Sequence, residues 1–136
     1  MNFSLKMLPF RILPINTAVL AIFIPEKTTT FPAEFGDNWR FEWDLRSKPL
    51  FAGFSVYTAA QICCWMGYDD LVVVGWDMKV GDHVFARDFT EKAFDRQLEG
   101  AKELAKHLCG KVRLRVVGDV GHPLEGILPV CRTEDL

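Results

Sequence analysis

The chain lacks a surplus of either charge. Sixteen Lys and Arg stand against eighteen Asp and Glu, a net charge of −2. Binding a nucleic-acid backbone needs clustered cations to neutralise phosphates, so this balance argues against a nucleic-acid partner. Arg113 and Arg115 share a strand face, a pattern that reads as a solvated edge. Cysteine is sparse and badly spaced for metal. Cys63 and Cys64 are adjacent, Cys109 and Cys131 stand alone, and no CxxC pair exists. A zinc half-site of the usual spacing is therefore absent. Cys63 and Cys64 lie in an apolar helical run and read as buried small hydrophobes. This cysteine usage fits a reducing cytoplasm better than a secreted disulfide framework. GxGxxG, the phosphate-loop lysine motif and the GxSxG elbow are all missing, which argues against the common dinucleotide fold, P-loop enzymes and serine hydrolases. No apolar run is long and clean enough to span a membrane. Residues 7–24 are apolar overall, but Pro9, Arg11, Pro14 and Asn16 interrupt them, and no small-residue cleavage site follows. There is no internal repeat and no low-complexity segment.

What is present suits one folded domain. The length is 136 residues, with 49% hydrophobic and 25% charged, ordinary values for a globular chain. Eleven Phe and four Trp supply a core with rings to spare for an interface, so a homo-oligomer is one expected state. Residues 1–16 read as an irregular lead. The apolar run 17–24, ended by Pro25, suits a buried strand. Residues 26–48 form a long aromatic-rich excursion, functional or lid-like by its length. Trp39, Phe41 and Trp43 alternate at period two, which allows a strand. Their first reading is an aromatic core cap, their second a substrate platform.

Residues 49–121 read as a βαβαβ core. Residues 53–66 form a mostly buried helix, with Ser55 as N-cap and Gly67 beyond its end. Asp69 and Asp70 turn the chain into 71–74 (LVVV), a central parallel strand. Residues 81–88 read as a loop. A second helix runs from about Thr90 to Cys109, with Asp88 and Glu91 at capping-box spacing. Residues 112–117 alternate apolar and Arg, the pattern of an edge strand. Residues 122–136 read as an irregular tail. Helices alternating with strands predict an α/β domain, a Rossmann-like parallel sheet flanked by helices.

Ligands of such sheets bind beyond the carboxyl ends of the strands. Two segments converge there. The turn Ala52-Gly53-Phe54-Ser55 opens the buried helix, and free first-turn amides with a Ser hydroxyl suit phosphate or carboxylate. Gly75-Trp76-Asp77 ends the LVVV strand, where an Asp can bind a sugar hydroxyl, hold a metal with phosphate, or cap a turn. His83 follows in a loop on the same side and is a candidate general base. His107 suits a helix C-terminal cap, and His122 lies in the tail.

Residues 53–78 (GFSVYTAAQICCWMGYDDLVVVGWDM) resemble a segment shared by bacterial CMP-sialic-acid-dependent sialyltransferases and the 6-hydroxymethylpterin pyrophosphokinase-like family, some of whose members accompany lipopolysaccharide or flagellin glycosylation. In those proteins a Ser precedes a small-residue helix, then Met/Leu-Gly-Tyr/Phe, a turn, an apolar strand and Gly-hydrophobic-Asp. Ser55, Met66-Gly67-Tyr68, residues 71–74 and Gly75-Trp76-Asp77 match that order, and residues 122–129 resemble the closing element. The resemblance implies a Rossmann-like domain with Gly53, Phe54, Ser55 and Gly75 at a nucleotide and Asp77 in the site. Two features depart from it. The family's opening strand with a GxGPS-type turn is missing, and no Tyr follows Asp77 in the loop. The chain thus resembles a truncated, phage-like or divergent member, or half of a split domain.

Three functions follow as expectations. The first is a cytoplasmic glycosyltransferase-like protein binding a nucleotide-sugar, with Asp77 and His83 as catalytic residues and no cofactor assigned. The second is a pyrophosphokinase-like enzyme using Mg²⁺ held in part by Asp77. The third is a non-catalytic interaction or assembly module.

Overall fold

The computed structural model describes residues 2–6, 17–19, 28–83 and 86–136. In chain order the elements are β1 (Asn2–Lys6), β2 (Thr17–Val19), β3 (Thr28–Glu34), β4 (Leu50–Phe51), α1 (Ser55–Trp65), β5 (Asp70–Val73), β6 (Gly81–His83), β7 (Ala86–Phe89), α2 (Glu91–Leu108), β8 (Arg113–Val117) and β9 (Val130–Cys131), then a 3-10 turn at Thr133–Asp135.

The chain is α/β. Its main sheet has the order β2-β5-β8-β9, and every pairing in it is parallel. The β-branched run of β5 takes the inner place expected of it, since a strand covered on both edges must satisfy all its backbone groups in ladders. One face of the sheet, carrying Leu71, Leu114 and Val116, packs against α1 and α2 in a single cluster with Tyr57, Ala60, Ala101 and Leu104. On α2 the apolar residues recur at helical spacing, and Gly100, Ala101, Leu104 and Leu108 are its buried stripe. α1 is more deeply placed, with Tyr57 through Ile62 all buried. Cys63 and Cys64 follow as half-buried residues, and desolvation pushes the Cys63 thiol up to about 11 and the Cys64 thiol up to about 12, which makes them poor nucleophiles.

A second sheet, β1-β3-β4, pairs β1 with β3 antiparallel and β3 with β4 parallel. It joins the rest through a smaller cluster of Phe31, Leu45, Leu50, Ala52 and Ile62. β6 and β7 form an antiparallel hairpin with an irregular register.

Several expectations change. The lead contains β1, and the excursion contains β3, so neither is wholly irregular; residues 7–16 and 20–24 lie outside the described residues. β4 belongs to the second sheet, and the strand that precedes α1 in the main sheet is β2. Residues 39–43 form no strand. Side chains meet their backbone instead: the Tyr57 hydroxyl donates to the Arg40 carbonyl at 3.1 Å, and Gln61 Oε1 accepts from the Glu42 amide at 3.1 Å. The core-cap reading describes Trp39 and Phe41, which pack on Tyr57 at 5.0 and 5.9 Å. The loop expected at 81–88 includes the hairpin. Thr90, not Asp88, caps α2, its Oγ1 accepting from the Ala93 amide at 3.2 Å, because Asp88 is part of β7. The tail carries β9 and buries Leu124 and Leu128, which makes β8 an inner strand.

That inner place explains the arginines. Asp70 opens β5 instead of a turn, and it lies beside Arg113 in register. Arg113 bonds its carboxylate, and one Arg115 nitrogen reaches both carboxylate oxygens at 3.1 Å. The bond from Arg113, joined by that from Arg115, holds the Asp70 carboxyl below the usual carboxylate range against the opposing effect of burial. Arg113 is largely solvated while Arg115 is mostly covered, so the Arg115 contact contributes more to stability.

A carboxyl with a lowered folded-state pKa contributes stability above its unfolded value, and that contribution is lost as pH falls through the folded value. Asp70→Asn is expected to lower unfolding free energy by about 2 kcal/mol at pH 7. It should also flatten the fall in urea midpoint that the parent shows below about pH 4. A parent and variant with the same acid profile would contradict this role. Gln61 is fully buried and makes four hydrogen bonds. Gln61→Leu removes the side-chain partner of the Phe51 and Glu42 amides, while the Phe51 carbonyl keeps only its bond from the Gly53 amide. A loss of about 3 kcal/mol or more in urea unfolding is expected; a loss below about 1 kcal/mol would show that water replaces the amide.

Candidate functional site

α1 begins without a cap. Phe54 is the N-cap residue, in an extended conformation, and Ser55 is already helical, which corrects the reading of Ser55 as the cap. The first backbone bond of the helix runs from the Thr58 amide to the Phe54 carbonyl at 3.0 Å. No side chain caps the first turn, and no acidic residue lies in it. The amides of Ser55, Val56 and Tyr57 are therefore left to the surroundings, at the positive end of the helix dipole. α2 differs on both points, with Thr90 as a bonded cap and Glu91 in the first turn.

Opposite this helix end, the chain leaves β5 through an exposed Val74 and turns at Gly75, whose φ of +85° suits glycine. Trp76 then folds inward. Its ring lies 5.4 Å from that of Phe54, and its Nε1–H donates to Gln97 Oε1 at 2.7 Å. Asp77 stays exposed, and Met78 is buried again with φ +52°, the left-handed region in a non-glycine residue. Two buried side chains thus hold one exposed carboxylate between them. The Trp76 carbonyl is bonded by His122 Nε2 at 2.7 Å.

Between these walls opens a cleft of about 320 Å³. Phe54, Ser55 and Val56 line it from α1, residues 74–79 from the turn after β5, and Gln97 from α2. The two ends singled out in the sequence therefore face one space. The polar groups are mostly donors. The indole claims the Gln97 oxygen, so the Gln97 amide nitrogen remains to donate elsewhere. Ser55 and Lys79 add a hydroxyl and an ammonium, and Asp77 is the one carboxylate on the lining. An acceptor-rich, anionic ligand carrying a hydroxyl group matches this set.

The predicted residues separate. Phe54, Ser55, Gly75 and Asp77 line the cleft. Gly53 does not; a Cβ there would lie 2.6 Å from the Trp39 ring, so this glycine serves close packing. His83 ends β6, and its side chain lies outside the described residues. His107 stacks on Phe41 with centroids 5.7 Å apart. Its Nε2 is buried without a partner, and burial lowers its pKa, so it belongs to the packing of the excursion. Sequence reasoning passed over Lys79, Gln97 and His122. Gln97 had a signal, since it is polar on the inward side of α2 between Phe94 and Ala101. His122 had none, because its partner Trp76 is distant in sequence.

Among the described residues, no group of three His, Cys, Asp or Glu side chains is placed to hold a metal ion, and no helix is long and apolar enough to cross a membrane. No protein-family model matches the chain, no curated protein matches it, and no solved structure matches its fold.

Proposed function

We propose that this protein is a Rossmann-like, glycosyltransferase-like binder of a nucleotide-sugar, seating the donor phosphate at the amino end of α1. The observation that carries this reading is the uncapped, acid-free first turn of α1 opening onto a donor-lined cleft. Three aligned amides, the Ser55 hydroxyl and the Lys79 ammonium would bind the phosphate and stabilise it as the leaving group. Asp77 would accept from a hydroxyl of the sugar or the acceptor, with Gln97 donating to a neighbouring oxygen. In transfer, the bond from the anomeric carbon to the phosphate oxygen breaks and the acceptor oxygen takes its place. The acceptor proton passes to a base, the role assigned to His83. The cleft is at the lower end of the usual ligand-pocket range of about 300–1,000 Å³, room for phosphate and sugar. A magnesium-dependent pyrophosphokinase would want oxygen ligands beyond Asp77, and the cleft lining offers no second carboxylate.

Calorimetric titration with CMP and with CMP-sialic acid is expected to give saturable binding in the micromolar to millimolar range. Absence of heat at millimolar ligand would remove the reading. Ser55→Asp separates the helix end from the ligand. A carboxylate in the first turn should raise stability by about 0.3–1 kcal/mol. The same charge would repel phosphate and weaken CMP binding about tenfold, equivalent to ~1.4 kcal/mol. If stability and affinity rise together, the phosphate lies elsewhere.

Gln97→Glu keeps an oxygen for the Trp76 indole and replaces the donating nitrogen by a second oxygen. Thermal unfolding should stay close to the parent while CMP affinity falls several-fold. Unchanged affinity would show that Gln97 does not meet the ligand.

A further inference from the structure

We infer that His122 is the positioning residue of the cleft, orienting Asp77 from the β8–β9 connection; the ligand part of this inference rests on the nucleotide reading above. Both ring nitrogens are engaged. Nε2 lies 2.7 Å from the Trp76 carbonyl oxygen, which can only accept, and Nδ1 lies 3.2 Å from the Leu124 amide, which can only donate. The partners thereby select one neutral tautomer, with the proton on Nε2. No lone pair is left over for proton transfer, so His122 is not itself a general base.

The ring is also held by shape. It lies on Gly118 at the end of β8, where a Cβ would come within 2.5 Å of the ring. The next segment is anchored by Leu124, which is fully buried. His122 thus belongs to a fixed platform and reaches across to a less regular turn.

What it grips decides its effect. The Trp76 carbonyl and the Asp77 amide are one planar peptide unit. Fixing that oxygen fixes the plane from which the Asp77 side chain departs. On the other side of the same residue, the Trp76 indole is fixed by Gln97 and Phe54. The turn is therefore clamped twice, from α2 and from the β8–β9 connection, and the clamp precedes Met78, whose left-handed backbone a non-glycine residue adopts at a cost. Without the His122 bond, the peptide between Trp76 and Asp77 is free to rotate, turning the carboxylate out of the cleft.

Three measurements on the full chain test this. Nitrogen chemical shifts of the His122 ring should report the Nε2–H tautomer; an Nδ1–H tautomer overturns the inference. Peptide-resolved hydrogen exchange over residues 74–80 should accelerate about tenfold in His122→Ala, and less in His122→Gln, whose side-chain amide can still donate. Gly118→Ala, which pushes the ring aside while keeping the histidine, should act like His122→Ala and covers the case in which that variant does not fold. Exchange equal to the parent in the folded variants overturns the inference. CMP affinity should fall in the same order as exchange rises. If exchange responds while the parent binds no CMP, the positioning role stands and the nucleotide reading falls. If CMP binds and its affinity ignores the variants, Asp77 is not oriented for the ligand by His122.

Discussion

The Gln61 amide is the constraint on which the arrangement around the cleft depends. Its oxygen accepts from the amides of Phe51 and Glu42, at 3.0 and 3.1 Å, and its nitrogen donates to the carbonyls of Phe51 and Tyr57, at 2.8 and 3.3 Å. A buried side-chain amide satisfied at every lone pair and proton has one orientation available to it. It therefore fixes β4 and the excursion against the middle of α1. Phe51 is followed closely by Phe54, so the chain has little freedom in how it enters the helix. The direction of the helix axis and the position of its open amino end follow from a bond made well inside the core.

Around that end the protein treats its polar groups unequally. The first turn of α2 is capped and Asp70 is bonded by two arginines, whereas the first turn of α1 is left open at the cleft. An apolar residue in the N-cap position forgoes about 1 kcal/mol relative to Ser, Asp or Asn, and Met78 keeps a backbone conformation that costs on the order of 1 kcal/mol more. Both features border the same space. Two local rules broken together beside one cavity are the kind of feature found at sites selected for something other than stability.

What the residues disclosed in advance divides by the range of the interaction involved. The helices and β5 were legible because their signals are local: an apolar run ended by Gly67, a β-branched quartet, an amphipathic stripe closed by Gly110. The facing of Ser55 and Asp77 was legible through the general rule that helix starts and strand ends share one side of a parallel sheet. The cap of α1 was misplaced by one residue, since a Ser one position late has the composition of a cap without its geometry. The edge reading of β8 failed for a longer-range reason. Alternating Arg marks a solvated strand only if nothing acidic stands opposite, and Asp70 lies in register on the neighbouring strand. The tail read as irregular because β9 is two residues long and is held by pairing with β8, a partner outside any local window.

The order of the main sheet gives the cleft its particular construction. In doubly wound sheets a crevice arises where the strand order reverses and adjacent connections leave on opposite faces. Here the order β2-β5-β8-β9 runs one way, and α1 and α2 share a cluster on one face. Among the described strands no reversal opens the crevice, so other elements must. Val74 and Gly75 carry the chain outward beyond β5, Trp76 returns to meet Phe54, and the β8–β9 connection reaches over to hold the returning carbonyl. The space between strand end and helix start is thus kept open by a clamped turn instead of by topology. A cleft of that kind is only as well defined as the residues that clamp it, which places Gln97 and His122, distant in sequence from Ser55 and Asp77, within the same structural unit.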